Sequence, residues 1–321
     1  MARRCVVFRG GGYGDLLIAA STFPHLAAAG YALTLVTSAK GEEVMRHDPH
    51  LSAIAIVDVL TMNAVARREL WAALEDKCDK FINFSEALEG ELLATQLQPK
   101  FWWPHALRHA RMNGSYLELA HDVAGVPREY RQRFYATADE SSAARALRAD
   151  KPRLVVIAVG GTGVNKFWPG VFELAWRLVK AHDDVHVVVI GDMKGGHFLA
   201  HERLHVIGDA WPVRQAFALA LKADLVIGQE TGLLNAVAME AMPKIVLLSH
   251  SSPENLTTHW RNTWPVLGNV DCWPCHRLQF DWSGCRRDGE TGAAACQAAV
   301  SPARVLTMAE RLLDGGLRQA A

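Results

Sequence analysis

The residues Gly-Gln-Glu-Thr-Gly at positions 228–232 form a corner that could bind an anion. Leu225–Ile227 before the corner predicts a buried strand, and Leu233–Met242 after it predicts an apolar helix. A corner at the carboxyl end of a parallel strand directs the free N–H groups of the next helix at a ligand. Thr231 adds a hydroxyl donor, and Glu230 could accept hydrogen bonds from a ribose diol. The alternative is a plain strand–helix turn with a capping residue.

A second glycine-rich loop, at residues 10–15, lies close to the start of the chain. Its glycines, including Gly12 and Gly14, permit a ligand to approach the backbone closely. Asp15 stands where the dinucleotide-binding pattern G-x-G-x-x-G requires glycine, and its carboxylate would repel a pyrophosphate. At the N-terminus of the first helix this carboxylate would be ionised and pre-oriented, as a general base for a hydroxyl nucleophile requires. A simple N-cap is the alternative.

The loop at residues 160–166 is rich in glycine and contains Thr162 and Lys166. A hydroxyl and an ammonium group beside flexible backbone suit a diphosphate, because lysine neutralises the charge on a leaving phosphate. The P-loop pattern G-x-x-x-x-G-K-[ST] is absent from this loop. The alternative is a solvated loop lysine with no ligand.

Four cysteines near the end of the chain have the spacing of metal ligands. Cys272 and Cys275 are separated by two residues, and Cys285 and Cys296 follow after short loops that contain glycine. Such a set predicts a closed tetrahedral site for structural zinc or iron, with His276 as an alternative ligand. Unpaired thiols or a disulfide are the other interpretations, and a reducing compartment disfavours the disulfide.

Two tryptophans, Trp102 and Trp103, are followed by histidines and arginines up to residue 111. Cations beside aromatic faces could hold an anionic acceptor. The alternative, which we favour, is a surface helix with buried tryptophans.

The composition restricts the class of protein. The chain has 321 residues, of which 50% are hydrophobic, so it is long enough for two α/β domains. Its formal net charge is zero, so no global field attracts it to nucleic acid, and we expect no nucleic-acid partner. No apolar run is long enough to span a bilayer, and the first residues predict a strand rather than a signal peptide. We therefore expect a cytoplasmic protein, and contact with the inner face of the membrane is compatible with this location.

Apolar runs of strand length alternate with helical patterns on both sides of residue 150, which predicts two doubly wound parallel sheets. We expect an N-terminal Rossmann-like domain at residues 1–150. A C-terminal domain at residues 151–301 would contain the cysteine segment at 272–296. Residues 302–321 would form a terminal helix.

The three loops together resemble glycosyltransferase family nine, the heptosyltransferases of lipopolysaccharide assembly. The family's first loop has an arginine, four loose positions and Gly-Asp, which correspond here to Arg9 and residues 14–15. Its second-domain loop has a threonine four residues before Lys-x-Trp-Pro, which corresponds to Thr162 and residues 166–169. The similarity in order and spacing covers most of the chain.

The family's late signature is Asp-Thr-Gly-x-x-His, and here the same positions are residues 230–235. Glu230 replaces the aspartate and Asn235 replaces the histidine. These two changes concern the identity of the sugar donor and not the fold. The cysteine segment is absent from the lipopolysaccharide enzymes. It looks like the metal finger of a heptosyltransferase-like branch that modifies autotransporter proteins, with tighter spacing.

The resemblance implies a GT-B fold, in which two Rossmann-like domains face each other across a cleft. The domain at 1–150 would then bind the acceptor, and the domain at 151–301 would bind the nucleotide sugar. It implies inverting transfer from a nucleotide sugar such as ADP-heptose to a glycan, lipopolysaccharide core or protein acceptor, without a catalytic metal. Asp15 and Lys166 then occupy the catalytic positions. The donor-binding positions are Gly12, Gly14, Thr162, Lys166, Glu230, Thr231, Gly232 and Asn235.

Two other functions are compatible with this sequence. A nucleotide-sugar epimerase shares the fold but would keep a histidine and carboxylates around the sugar. A non-catalytic nucleotide-sugar-binding protein would explain the two changed signature positions. Retention of Asp15 and Lys166 argues against mere binding, because a binder has no need of a base.

Overall fold

The computed structural model describes residues 2–192, 199–208 and 211–316. Two parallel sheets, each covered by helices, occupy the two halves of these residues. Strand and helix alternate along the chain because buried apolar runs are separated by amphipathic segments, as the sequence predicts.

The first sheet has the strand order β3-β2-β1-β4 and is parallel throughout. Its strands and the helices in the same half have the following bounds: β1 Arg3–Phe8, α1 Tyr13–Ala20, α2 Phe23–Ala28, β2 Tyr31–Thr37, α3 Ala39–Met45, β3 Leu51–Ile56, α4 Ala64–Glu75, β4 Lys80–Asn83, α5 Phe84–Glu91, β5 Ala94–Thr95, α6 His105–Met112, α7 Tyr116–Ala124 and α8 Ala138–Arg148.

The second sheet has the strand order β11-β10-β9-β6-β7-β8 and is also parallel. The elements of this half are β6 Arg153–Val159, α9 Val171–Ala181, β7 Val185–Gly191, β8 Leu204–Gly208, α10 Val213–Ala220, β9 Leu225–Gln229, α11 Gly232–Ala236, β10 Lys244–Leu248, α12 Pro253–Leu256, β11 Thr263–Leu267, β12 Arg277–Leu278, α13 Ala295–Ala298 and α14 Pro302–Leu313.

Two predicted helices are shorter in the structure than in the sequence pattern. The pattern continues from residue 16 to residue 29, but α1 ends at Ala20 and α2 begins at Phe23, with Pro24 in its first turn. The helix predicted at 233–242 ends at Ala236, and turns follow up to Pro243. The apolar residues after each of these helix ends remain largely buried, so the apolar pattern of the sequence did not indicate where α1 and α11 end.

One hydrophobic core extends across both halves. It includes Leu17 and Leu35 of the first half together with Val156, Leu234 and Val246 of the second half. A separate core lies on the other face of the second sheet, where α14 packs against α9. The apolar contact between the halves fixes how the carboxyl ends of the two sheets face each other.

A small third layer joins residues from the two halves. β5 pairs with β12 in a two-stranded sheet, and Phe101 and Met112 are buried beside Ala94. The predicted boundary at residue 150 lies between α8 and β6, yet residues 94–112 contact the cysteine segment beyond it. Among the described residues, none of the helices has both the length and the apolarity that crossing a bilayer requires.

Candidate functional site

The first turn of α1 and the start of α11 lie against each other at the carboxyl ends of β1 and β9. A Cβ atom at Gly14 would lie 2.7 Å from Nδ2 of Asn235, and one at Gly232 would lie 2.5 Å from Cβ of Tyr13. Any side chain at either position would therefore displace its neighbour. The two glycine loops that the sequence singles out thus come together across the halves.

Asp15 is fixed in place and remains accessible. Its Oδ2 accepts a hydrogen bond of 2.8 Å from the backbone N–H of Gly12, and its Oδ1 lies 3.1 Å from Nη2 of Arg9. The Arg9 side chain is buried, whereas 42% of the Asp15 side chain is exposed. A carboxylate that is oriented by fixed donors and still open to solvent can accept a proton from a ligand.

Lys166 extends from the 160–166 loop to the corner that follows β9. Its Nζ donates a hydrogen bond of 2.8 Å to the carbonyl oxygen of Glu230. The chain approaches itself closely here, because a Cβ at Gly161 would lie 2.7 Å from Cδ of Lys166. Thr162 is exposed on the same loop. The loop therefore places the Lys166 ammonium group beside the corner that precedes α11, and it carries an exposed threonine.

The carboxylate of Glu230 is buried and occupied by protein donors. Its Oε1 accepts hydrogen bonds from Oγ of Ser249 at 2.6 Å and from the backbone N–H of His250 at 2.9 Å. Its Oε2 accepts a bond of 3.2 Å from the backbone N–H of Ser249. Nε2 of His250 lies 3.2 Å from Oε1. We expected Glu230 to accept from a ribose diol, but the structure directs its carboxylate at the chain that follows β10.

The ionisation of this pair follows from its surroundings. Burial opposes ionisation of Glu230, but His250, Lys166 and the Ser249 hydrogen bond outweigh burial and lower its pKa. Burial also lowers the pKa of His250 to about 4, against the opposing effect of Glu230. At neutral pH a neutral imidazole then donates through Nε2 to an ionised carboxylate, and its Nδ1 accepts from Oγ of Ser251 at 2.9 Å.

Thr231 and Asn235 differ in how their polar atoms are satisfied. Oγ1 of Thr231 is buried and has no hydrogen-bond partner among the described residues. Nδ2 of Asn235 donates to the carbonyl oxygen of Thr231, and its Oδ1 accepts from Nε2 of Gln132 at 2.8 Å. Asn235 therefore ties α11 to the segment before α8, whereas Thr231 retains a hydrogen-bonding capacity that a ligand could use.

Several site residues were missed at the sequence level, namely Arg9 as a partner of Asp15, Gln132, Ser249, His250 and Ser251. The polar run after β10 offered a signal, because polar residues directly after a buried parallel strand lie at the sheet edge where ligands bind. Both Asp15 and Lys166 contribute to the electrostatic environment of His250, so residues from both halves share this region.

The structure does not support the predicted metal site on the cysteines. All four are free thiols, with Cys272 exposed and Cys296 buried. Among residues 2–192, 199–208 and 211–316, no group of three or more His, Cys, Asp or Glu side chains could hold a metal ion. Sγ of Cys275 and Sγ of Cys285 contact backbone carbonyls, and burial raises the pKa of the two thiols to about 12 and about 11.

Comparison with solved structures identifies similar folds over nearly the whole chain. A family nine glycosyl transferase from Veillonella parvula has 14% identity and a TM-score of 0.69, with 98% of each chain covered. The E. coli ADP-heptose lipopolysaccharide heptosyltransferase II has 18% identity and a TM-score of 0.65, with 97% of this chain and 99% of that chain covered. The chain has a GT-B fold.

A third similar structure is the iron-containing dodecameric glycosyltransferase TibC from enterotoxigenic E. coli. It has 16% identity and a TM-score of 0.63, with 98% of this chain and 77% of that chain covered. No protein-family model matches the sequence, and no curated protein matches it either. The predicted α/β class and the predicted arrangement of two parallel sheets are confirmed.

Proposed function

We propose that this chain is an inverting glycosyltransferase that moves a sugar from a nucleotide-sugar donor to a hydroxyl group. The observation that supports this most directly is that an accessible, pre-oriented carboxylate from one half and a lysine from the other half both lie close enough to His250 to act on its charge. Heptosyltransferases among the structures of the same fold add support at the level of the donor class.

In the proposed reaction Asp15 accepts the proton of the acceptor hydroxyl. At the same time the oxygen of that hydroxyl attacks the anomeric carbon of the donor sugar from the face opposite the diphosphate. The bond from that carbon to the diphosphate oxygen breaks, and negative charge develops on the leaving group. Lys166 and Thr162 stabilise this charge, because an ammonium and a hydroxyl placed beforehand cost no reorganisation during the step. Arg9 positions Asp15 through the contact described above.

We propose ADP-heptose or a closely related nucleotide sugar as the donor, bound beside Gly12, Gly14, Thr231 and Gly232. The unpartnered hydroxyl of Thr231 supports this placement, whereas the buried carboxylate of Glu230 is bound by Ser249 and His250, which leaves that side chain a supporting role. The acceptor would be a glycan, a lipopolysaccharide core or a protein hydroxyl. Zinc or iron is not part of the proposal, because no group of three or more metal-ligating side chains was found among the described residues.

Thermal unfolding with ADP, UDP, GDP and ADP-heptose tests the donor class. A nucleotide that binds only the folded chain raises its stability by about 2.7 kcal/mol at a hundredfold excess over Kd. We expect ADP and ADP-heptose to give such a shift, and Lys166→Ala to abolish it while Lys180→Ala, an exposed helix lysine, keeps it. A shift with uridine or guanosine nucleotides alone would refute the adenosine donor.

Release of ADP from ADP-heptose, measured with and without acceptor, separates a transferase from a binding protein. A transferase hydrolyses the donor slowly in the absence of acceptor, whereas a binder saturates and releases no ADP. Stabilisation by ADP-heptose without any ADP release would contradict the proposed activity.

A further inference from the structure

The chain between Cys275 and Cys285 contains polar residues that are enclosed by protein. His276 is 0% exposed and Gln279 is 1% exposed. Burial of polar residues is costly unless fixed partners compensate for the lost contact with water. These two residues therefore indicate where this part of the chain is attached to the rest of the molecule. We call residues 275–281 the bridging segment.

One side of the bridging segment is bound to the first half of the molecule. Its strand β12 pairs with β5, and the backbone N–H of Ala94 donates a hydrogen bond of 2.9 Å to the carbonyl oxygen of His276. The backbone N–H of Phe280 donates to Oε1 of Gln96 at 3.1 Å, and Nε2 of Gln96 donates to Oδ1 of Asp281 at 2.6 Å. Backbone and side-chain bonds thus fix the bridging segment to residues 94–96.

A buried arginine of α6 strengthens this attachment. The guanidinium of Arg108 donates to the backbone carbonyl oxygens of Phe101, Trp103 and Cys275. These bonds fix the backbone on both sides of Trp102 and join it to the start of the bridging segment. Trp102 is 60% exposed and Trp103 is 38% exposed, so the prediction that these tryptophans are buried is wrong. The buried group at this contact is the charge of Arg108, and its bonds hold the segment in place.

The other side of the bridging segment is bound to two loops of the candidate site. The backbone N–H of Val164, in the loop that contains Lys166, donates a hydrogen bond of 2.8 Å to the carbonyl oxygen of Gln279. The backbone N–H of His276 donates a bond of 2.9 Å to the carbonyl oxygen of His250. The bridging segment therefore connects residues 94–108 of the first half to the loops of Lys166 and His250 in the second half.

The contact with the Lys166 loop is close at Gly163. A Cβ atom at this position would lie 3.1 Å from the carbonyl oxygen of Gln279 and 3.3 Å from Cδ1 of Leu278. The φ angle of Gly163 is −94°, which other residues adopt as well, so the close approach rather than the backbone conformation favours glycine here. The backbone N–H of Lys166 donates to the carbonyl oxygen of Gly163 at 3.0 Å. The turn that carries Lys166 thus begins at the bridging segment.

We propose that the bridging segment is a positioning element of the donor site, which fixes the Lys166 loop relative to the first half. A lysine that stabilises a leaving diphosphate must be in place before the charge develops. A displacement of about 1 Å can lower a rate about 10²-fold. The proposal rests on the proposed function where it concerns the rate of sugar transfer, whereas the attachment of the loop rests on the contacts alone.

Val164→Pro separates the loop from the bridging segment. It removes the N–H that Gln279 accepts, and the proline ring would occupy the place of the hydrogen atom, so the two chains must move apart. Val164 is the first residue of a 3₁₀ turn and follows Gly163 in an extended conformation, so the local backbone accepts proline. Val164→Ala keeps the N–H and is the matched control. Gly163→Ala is a second variant, because its methyl group would press on the carbonyl of Gln279.

Hydrogen–deuterium exchange of the full chain tests the attachment without any ligand. We expect the amides of residues 165–168 to exchange about three- to tenfold faster in Val164→Pro and in Gly163→Ala, as the loss of about one hydrogen bond predicts. The amides of α9 should keep their exchange rates, which shows that the fold is intact. Unchanged exchange of residues 165–168 in both variants would overturn the proposal.

The rate of ADP release from ADP-heptose tests the consequence for the site. Val164→Pro should lower kcat/KM at least about tenfold. In the presence of Lys166→Ala the same change should lower it less than about twofold, because a residue that acts through Lys166 then has nothing to position. Equal losses in both backgrounds would overturn the proposal, since the bridging segment would then support the fold as a whole. If the unmodified chain released no ADP, the proposed function would fail, and the exchange measurement would still decide whether the segment holds the loop.

Discussion

Asp15 and Glu230 are carboxylates at the carboxyl ends of central strands, one in each half of the molecule, and they differ in almost every contact. The side chain of Asp15 is 42% exposed and has two fixed partners, Gly12 and Arg9. The side chain of Glu230 is 3% exposed and accepts from Ser249 and His250. One carboxylate is open to a ligand, and the other is enclosed by the protein.

The difference shows that a carboxylate at a position predicted to bind a ligand can instead be bound by the protein itself. Glu230 has one methylene more than the aspartate of the sequence pattern that this corner resembles. Its carboxylate contacts the residues that follow β10, and it joins the ends of β9 and β10. Lys166 contacts the backbone carbonyl of Glu230 rather than its carboxylate. The side chain of Glu230 thus stabilises the carboxyl ends of β9 and β10, and its backbone carbonyl holds Lys166 at the corner.

Asp15→Asn should produce the largest effect on turnover. Loss of a general base lowers the rate by about 10²- to 10⁴-fold. Asparagine keeps the shape and can still occupy the contact with Gly12, so stabilisation by ADP-heptose should persist. The measurement is ADP release in the presence of acceptor, with Asp183→Asn as control because that carboxylate is fully exposed. Equal rates for the two variants would show that Asp15 is not the base.

Glu230→Ala should instead lower the stability of the fold. Removing the carboxylate leaves the buried donors of Ser249 and His250 without an acceptor, which costs about 1–3 kcal/mol for each unsatisfied group. Glu230→Gln keeps part of the hydrogen bonding and should cost about 1–3 kcal/mol. The free energy of unfolding in urea measures both. If Glu230→Ala left the urea midpoint of unfolding unchanged but greatly weakened binding of the nucleotide sugar, Glu230 would be a ligand-binding residue and not a stabilising one.

The pH dependence of this contribution follows from the direction of the shift. The pKa of Glu230 is lowered in the folded chain, so the unfolded chain binds more protons near the ordinary glutamate pKa of about 4.3. The stabilisation is therefore present above that pH and is lost as the pH falls through the folded pKa. Glu230→Gln should remove this part of the acid sensitivity.

Much of the fold could be predicted from the sequence. Buried strands followed by glycine corners predict parallel sheets, and the loops at Asp15, Lys166 and Thr231 do meet at the sheet ends. These features are local, because strand, corner and helix are neighbours in the chain.

The role of Glu230 could not be predicted, because its partners are 19 and 20 residues away and depend on the register of β9 and β10. Exposure of Trp102 was missed for a similar reason. It depends on Arg108 bonding to Cys275 across a sequence separation of 167 residues. The cysteine spacing suggested a metal site, but spacing alone does not fix the direction in which each thiol points.

Lys244 can be compared with Glu230, because it is a buried titratable side chain at the opposite end of the same sheet. It begins β10, is fully buried, and donates through Nζ to the carbonyl oxygens of Glu240 and Met242 at 2.8 Å. Burial lowers its pKa to about 7, against the effect of Glu240, whereas an unfolded lysine titrates near about 10.4. The unfolded chain then binds more protons between these values, so stability rises with pH through this window.

We expect the free energy of unfolding to increase by about 1–2 kcal/mol from pH 7 to pH 9 through Lys244. Lys244→Met should remove this increase, whereas Lys40→Met, at an exposed position, should keep it. Urea unfolding at several pH values makes the measurement. A parallel pH profile for Lys244→Met and the unmodified chain would mean that the two carbonyl acceptors keep Lys244 charged throughout. Hydrogen bonds to fixed partners would then keep a buried side chain charged at both ends of this sheet. Lys244 and Glu230 would no longer differ in whether burial removes their charge.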